Sequence, residues 1–157
     1  MAYWLFKTEP AAFSIDDLMA RPNQTEPWDG VRNYQARNFL RDEVAMDDEV
    51  LIYHSSCNEV GVAGIATIAR AGYPDYSQFD PESAYFDPKS EPDNPRWYRV
   101  DVLFKEKFSQ ILTLKFIKKM PEIEQLPLVK KGHRLSVMPV CEKEWNALVS
   151  AARSPRD

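Results

Sequence analysis

An α+β fold, a small curved sheet or barrel flanked by helices, is what the order of elements in this 157-residue chain predicts. Short strand-like runs, alternating or continuously aliphatic, recur from Tyr3 to Val140. Helical runs fall between and after them, in the order β-α-β-β, long loop, β-α-β-α, with neighbouring strands mostly antiparallel. Twelve prolines and only five glycines favour loops and sheet edges over long helices.

Tyr3 to Lys7 is an aromatic and aliphatic run stopped by Glu9-Pro10, which suits a buried first strand. Phe13 to Ala20 is helical, with Ser14 as N-cap and Asp16 and Asp17 in the first turn, where the helix dipole favours negative charge. Residues 21 to 32 form a loop marked by Arg21-Pro22 and Asp29-Gly30. Asn33 caps the next helix, whose apolar positions are Ala36, Phe39, Leu40 and Val44, with Asn33, Arg37 and Arg41 on a neighbouring stripe. In residues 49 to 55, Val50, Ile52 and His54 point one way and Leu51, Tyr53 and Ser55 the other. Residues 60 to 69 are a strand in which Gly61 and Gly64 allow a bulge or a close backbone approach.

Residues 72 to 96 carry five prolines and six acids without a helical period, so they read as a long connection of the functional or mobile kind. Residues 97 to 105 are a clear strand with Tyr98, Val100, Val102 and Phe104 inward. A short helix over Leu112 to Lys119 and a strand over 134 to 140 follow, and Trp145, Leu148, Val149 and Ala152 give a closing helix its core face.

The length predicts one domain, residues 1–157, and 44% hydrophobic with 28% charged residues is ordinary for a soluble globular protein. The N-terminus lacks the basic and apolar regions of a signal peptide, and no run approaches the roughly 18 apolar residues of a membrane span. Cys57 and Cys141 lack metal or redox spacing and are expected to be reduced, which places the protein in the cytoplasm or, in a eukaryote, the nucleus. His54 and His133 lie 79 positions apart without an HExxH pattern, so no metal is expected. Glycine-rich phosphate loops are missing too, so no nucleotide or dinucleotide cofactor is expected.

Net charge is −4, against a protein that coats nucleic acid by charge alone. The distribution is uneven, with 8 Lys/Arg against 3 Asp/Glu in residues 105 to 134 and 9 against 18 in residues 1 to 104. That basic segment is either a solvated face or a track for phosphates.

His54-Ser55-Ser56-Cys57 places a base beside nucleophiles, but adjacent strand residues point to opposite faces, so His54 cannot activate Ser55. No GxSxG elbow accompanies it. What remains is aromatic and amide chemistry. WDGVRNYQARNFLR, residues 28 to 41, gathers Trp28, Tyr34, amides from Asn33 onward, and three arginines. Trp28, beside Asp29-Gly30, reads as a turn residue with an exposed ring suited to contacts. Trp4 and Trp97 are core or site, and Asn33, Arg32 and Arg37 are a cap with solvent charges or part of a site. Joined into one pocket, these groups suit a nucleobase, which has two flat faces and a polar edge.

The same residues carry a family resemblance. YWLFKTEP, FSIDDL, WDGVRNYQARNFLR, VLIYHS, GIATI, YPDYSQFD, DNPRWYRVDVLF, and RLSV followed by PV together resemble the EVE-domain family, over essentially the entire chain. The resemblance implies a PUA-like fold, a small β-barrel flanked by helices, and a role related to that of YTH domains: a non-catalytic, nucleic-acid-binding reader of a modified base in DNA or RNA. By position it implies one pocket wall from Trp28, Val31, Arg32, Asn33, Tyr34 and Arg37, a second from Tyr53, His54 and Ser55, and a third from Arg134, Leu135 and Ser136, with Lys7 and Trp97 as further candidates.

The expectation is a monomer that takes a flipped base, a modified cytosine, between the Asn33 helix and strands 50–55 and 134–138. Two other readings stay open: a binder or processing enzyme for a free nucleoside or small anion, and an interaction module using the acidic, proline-rich loop.

Overall fold

The computed structural model describes residues 1–132 and 134–155. His133, one of the two histidines weighed for metal, and Arg156 and Asp157 at the C-terminal end lie outside the described residues. β1 (Tyr3–Thr8) pairs parallel with β3 (Glu49–His54) and antiparallel with β6 (Val137–Val140). β4 (Gly61–Pro74) continues the sheet beyond β3, and β5 (Tyr98–Thr113) pairs with β4 along a ribbon broken by several register shifts. One strand was not expected: β2 (Thr25–Trp28), inside the predicted loop 21–32, pairs antiparallel with β5. The six strands run β2-β5-β4-β3-β1-β6, a sheet left open by hydrogen bonding, with β2 and β6 as its edges.

β4 and β5 are far longer than the runs 60–69 and 97–105 suggested, and of the four residues expected inward on β5, only Val100 and Val102 are fully buried. The glycines explain how the ribbon bends. A Cβ on Gly64 would meet the Glu106 carbonyl oxygen at 2.3 Å, and one on Gly61 the Leu112 carbonyl at 2.2 Å, so the strands approach there as only glycine permits.

α1 (Ile15–Ala20) starts where a capping box forms: the Asp17 amide donates to Ser14 Oγ and the Ser14 amide to the Asp17 carboxylate. Ile15 and Leu18 are its buried face. α2 (Tyr34–Asn38) is capped by Asn33, whose side-chain oxygen accepts from the Ala36 amide at 3.0 Å. The expected helix through Val44 instead widens into a π-type turn over Phe39–Glu43, which still buries Leu40. α3 (Leu114–Ile117) is shorter than residues 112–119, because β5 runs on to Thr113 and that side chain becomes the cap. α4 (Glu142–Arg153) buries Trp145, Leu148, Val149 and Ala152 as predicted, and Trp145 stacks on Tyr3 at 4.6 Å. Full burial of each such large apolar side chain contributes about 1.5–3 kcal/mol. Trp4 is core: its indole N–H donates to buried Asp48, which also accepts from the amides of Ala2 and Ala45.

The long connection 72–96 is pinned. Its first residues complete β4, Tyr76–Phe79 form a 3-10 turn, and buried Gln78 acts as its internal anchor. The Gln78 amide donates to the carbonyls of Asp75 and Trp97 and accepts from the amides of Arg96 and Trp97. No helix among the described residues is long and apolar enough to cross a membrane.

Candidate functional site

A cleft of about 650 Å³ opens where β1 ends, β2 ends and the chain enters β6; Lys7, Trp28, Val31, Arg32, Asn33 and Ser136 are among its walls. Its size falls within the roughly 300–1,000 Å³ of ligand clefts. These residues meet because the sheet curls. Three strands separate β2 from β1 in the hydrogen-bonded order, yet the rings of Phe6 and Trp28 lie 5.6 Å apart. The Lys7 amide donates to the Ser136 carbonyl at 2.8 Å, which ties the approach to β6 onto the end of β1.

Lys7 is the distinctive charge. Burial pushes its pKa below the ordinary lysine value, and among the described residues no carboxylate pairs with it. Its ammonium lies 5.8 Å from the Tyr53 ring centroid. Lys7 and Tyr53 are register partners on parallel strands, so both point to the same face, and Tyr53 backs the lysine from within the core. Burial pushes the Tyr53 phenol up to about 12, so the ring stays neutral. Asp29, also lining the cleft, has its carboxyl pKa raised by burial and by the nearby Asp75 carboxylate, with Arg99 opposing at 3.7 Å. The cleft therefore presents the Lys7 ammonium, the carboxyls of Glu9 and Asp29, the paired Arg21 and Glu26, the exposed Asn33 amide and the Ser136 hydroxyl around an aromatic floor of Trp28 and Phe13. Such a set donates to and accepts from the edge of a flat polar heterocycle.

The other residues named from sequence divide. Trp28 is not an exposed turn residue: it ends β2, keeps 7% of its surface exposed and packs on Phe6 and Phe13 while lining the cleft. Arg32 lines the cleft with its donors occupied, binding the carbonyls of Val31 and Tyr85, the Asp75 carboxylate and Ser77 Oγ. Tyr34, Arg37 and Trp97 lie behind it. Tyr34 stacks on Trp97 at 4.8 Å, the Arg37 guanidinium sits 5.0 Å from the Tyr34 centroid, and Arg37 donates to the Arg96 carbonyl.

The second wall does not assemble on one face. His54, next to Tyr53, turns into a different hollow lined by Asp16, Cys57 and Lys107. There its Nε2 accepts the Ile15 amide at 3.1 Å, and burial holds its pKa below the ordinary histidine value. Ser55 is half-buried, its amide bonded to the Thr8 carbonyl. Of the third wall, Ser136 reaches the cleft, Leu135 is core, and Arg134 is exposed outside it.

Sequence reasoning missed Asp75 and Tyr85. Asp75 is fully buried and accepts from the amides of Gly30 and Ser77 and from Arg32, binding the long loop to the turn after β2. Burial would raise its pKa, but the hydrogen bonds from Ser77, Gly30 and Arg32 hold it below the usual carboxylate value. Serine two residues after an aspartate is a turn signal that pointed there. Tyr85 lines the cleft from the loop, and the adjacent aromatics Tyr85-Phe86 in an otherwise acidic, proline-rich stretch were its only mark.

The sequence pattern of the EVE domain matches residues 2–151. Human thymocyte nuclear protein 1 is 39% identical over 165 residues, covering 95% of this chain and 73% of its own length. A Pseudomonas syringae protein of known structure superposes with a TM-score of 0.92 at 48% identity, covering 96% of this chain and 99% of that one. The structure of human THYN1 in complex with 5-methylcytosine-containing DNA superposes with a TM-score of 0.90 at 37% identity, covering 99% of this chain and 100% of that one. With a matching pattern along nearly its whole length and relatives this similar throughout, the chain belongs to the EVE-domain family.

Proposed function

We propose that this chain is a non-catalytic reader of a modified base, a modified cytosine, in DNA or RNA, and that the cleft beside Lys7 takes the flipped base. The observation that carries this reading is the half-buried ammonium of Lys7, without a carboxylate partner among the described residues, at a cleft with an aromatic floor. An unpaired charge removed from water is costly, and an anionic or acceptor-rich ligand offsets that cost. A cytosine edge offers acceptors to Lys7 and an amino donor to a carboxyl such as Asp29. The human relative solved with 5-methylcytosine-containing DNA supports the choice of base.

A PUA-like barrel is the architecture we assign to the curled sheet, supported by the Phe6–Trp28 contact across it, and one continuous core cluster supports reading residues 1–157 as one domain. Exposed Lys115, Lys118, Lys119, Lys130, Lys131 and Arg134 make no ion pair among the described residues, and they supply the phosphate track. The non-catalytic reading is supported by His54, whose Nε2 already accepts the Ile15 amide and which faces away from Ser55.

Discrimination of a single methyl group is worth only about 1–3 kcal/mol in an apolar pocket, so the preference should be modest. Anisotropy titrations with duplexes that differ only in one 5-methylcytosine test it. The methylated duplex should bind more tightly, and Lys7→Gln should weaken binding about 10- to 100-fold, as loss of a charged hydrogen bond does. Equal affinities for the two duplexes would remove the proposal.

A further inference from the structure

We infer that Tyr85, from the proline-rich loop, is the stacking wall of the cleft and that Arg32 is its positioning residue, an assignment that rests on the modified-base reading. Three aromatic side chains line the cleft: Trp28 is 7% exposed, Phe13 is half-buried, and Tyr85 is 44% exposed. A base gains its stacking energy from an aromatic side chain it can reach, and of the three Tyr85 keeps by far the largest exposed fraction.

The ring is held in place. It lies directly on Gly30, where a Cβ would come within 2.5 Å of Tyr85 Cζ, and Gly30 has φ +80, so this position excludes side chains for two reasons. The Arg32 guanidinium lies 5.4 Å from the Tyr85 centroid and 5.3 Å from that of Trp97, and its Nη2 donates to the Tyr85 carbonyl at 2.7 Å. Trp97 is fixed in turn by its indole N–H donating to Asp87 and by stacking on Tyr34. A column of aromatic rings and guanidinium groups thus runs from Arg37 through the stacked pair Tyr34 and Trp97 and then Arg32 to Tyr85. The end of the column at Tyr85 lines the cleft. A preset ring adds stacking without the entropy of ordering a free side chain.

The test is anisotropy with the duplex carrying one 5-methylcytosine and its unmethylated twin, on wild type, Tyr85→Leu, Tyr85→Phe and Tyr76→Leu, each checked for an unchanged thermal midpoint. Tyr76 is 52% exposed on the same loop but does not line the cleft. Tyr85→Leu should weaken binding of the methylated duplex roughly 5- to 100-fold, the range of one base–aromatic stack. Tyr85→Phe, which keeps the ring, should recover most of it, and Tyr76→Leu should bind as wild type does. Arg32→Lys, which keeps the charge but loses the planar fork, should fall between wild type and Tyr85→Leu. If wild type prefers the methylated duplex and Tyr85→Leu retains that affinity, the stacking assignment alone is overturned. If wild type binds both duplexes equally, the modified-base reading falls and this inference with it.

Discussion

The hollow beside His54 and the cleft beside Lys7 differ in how their charged groups are paired, and the larger of the two is the better paired. The groove beside His54 measures about 840 Å³ and the cleft beside Lys7 about 650 Å³. In the groove Lys107 pairs with Asp16 at 2.7 Å, and His54 accepts the Ile15 amide. In the cleft the Lys7 ammonium has no carboxylate partner among the described residues, although Asp29 in the same cleft pairs with Arg99 at 3.7 Å. Hydrogen-bonding capacity left unmet, more than volume, marks the place where a ligand stabilises the protein. Tyr53 and His54 show how close the two regimes lie, since one residue of strand alternation separates the face of the cleft from that of the groove.

The largest effect we expect concerns the floor they share with the core. Trp28→Ala removes a ring packed between Phe6 and Phe13 and should destabilise the fold by about 3–5 kcal/mol, read as a lowered urea midpoint. A loss below about 1 kcal/mol would mean that Trp28 is a contact residue after all, and the division between core floor and polar rim would be redrawn. Binding lost in this variant reports unfolding before it reports a missing contact.

That distinction was out of reach of the sequence. Local signals carried well: the Ser14 and Asn33 caps, the buried face of the closing helix and the glycines of β4 all stand where periodicity and capping chemistry placed them. β2 was hidden because Thr-Glu-Pro-Trp has no alternation and contains Pro27, which a strand tolerates only at a sheet edge, the place β2 occupies. Once β2 was taken for loop, Trp28 read as exposed. The second half of β5 was hidden for a related reason. Lys-Glu-Lys-Phe-Ser-Gln is mostly exposed, and a solvated ribbon leaves no hydrophobic period. At the site, Asn33, Lys7 and Ser136 were named and do line one cleft, whereas Asp75 and Tyr85 act through contacts about 45 to 53 positions away along the chain, as the Gly30–Asp75 and Arg32–Tyr85 bonds show. No local period encodes such a contact.

His54 supplies the intermediate test. His54→Ala leaves the buried Ile15 amide without its acceptor and should cost about 1–3 kcal/mol of stability. The pH dependence has a definite sign. Burial lowers the folded pKa beneath the ordinary 6.5, so below pH 6.5 the unfolded chain takes up a proton that the folded chain refuses. The His54 contribution is therefore fully present above 6.5 and falls as pH drops from there towards the folded value. His54→Ala should flatten that part of the stability–pH curve, measured by chemical unfolding between pH 5 and 8. At pH 8 the variant should still bind methylated DNA as wild type does, because the side chain faces the other hollow. Weakened binding by a folded His54→Ala protein would join the two faces into one site.

The smallest effect is the most informative control, because it sets one lysine against another. The Lys107 and Asp16 side chains are 47% and 66% exposed, so their ion pair is screened by water and worth about 0–1 kcal/mol. Lys107→Gln should shift the urea midpoint within that range and change affinity for the methylated duplex by less than about twofold. Lys7→Gln removes the same formal charge from the other face, and its loss of binding should be far greater. A decrease from lost net charge alone would be similar for the two variants and would fade together with rising salt. A loss confined to Lys7→Gln and persisting at high salt would come from a hydrogen bond inside the cleft, because a half-buried group is screened far less than an exposed one.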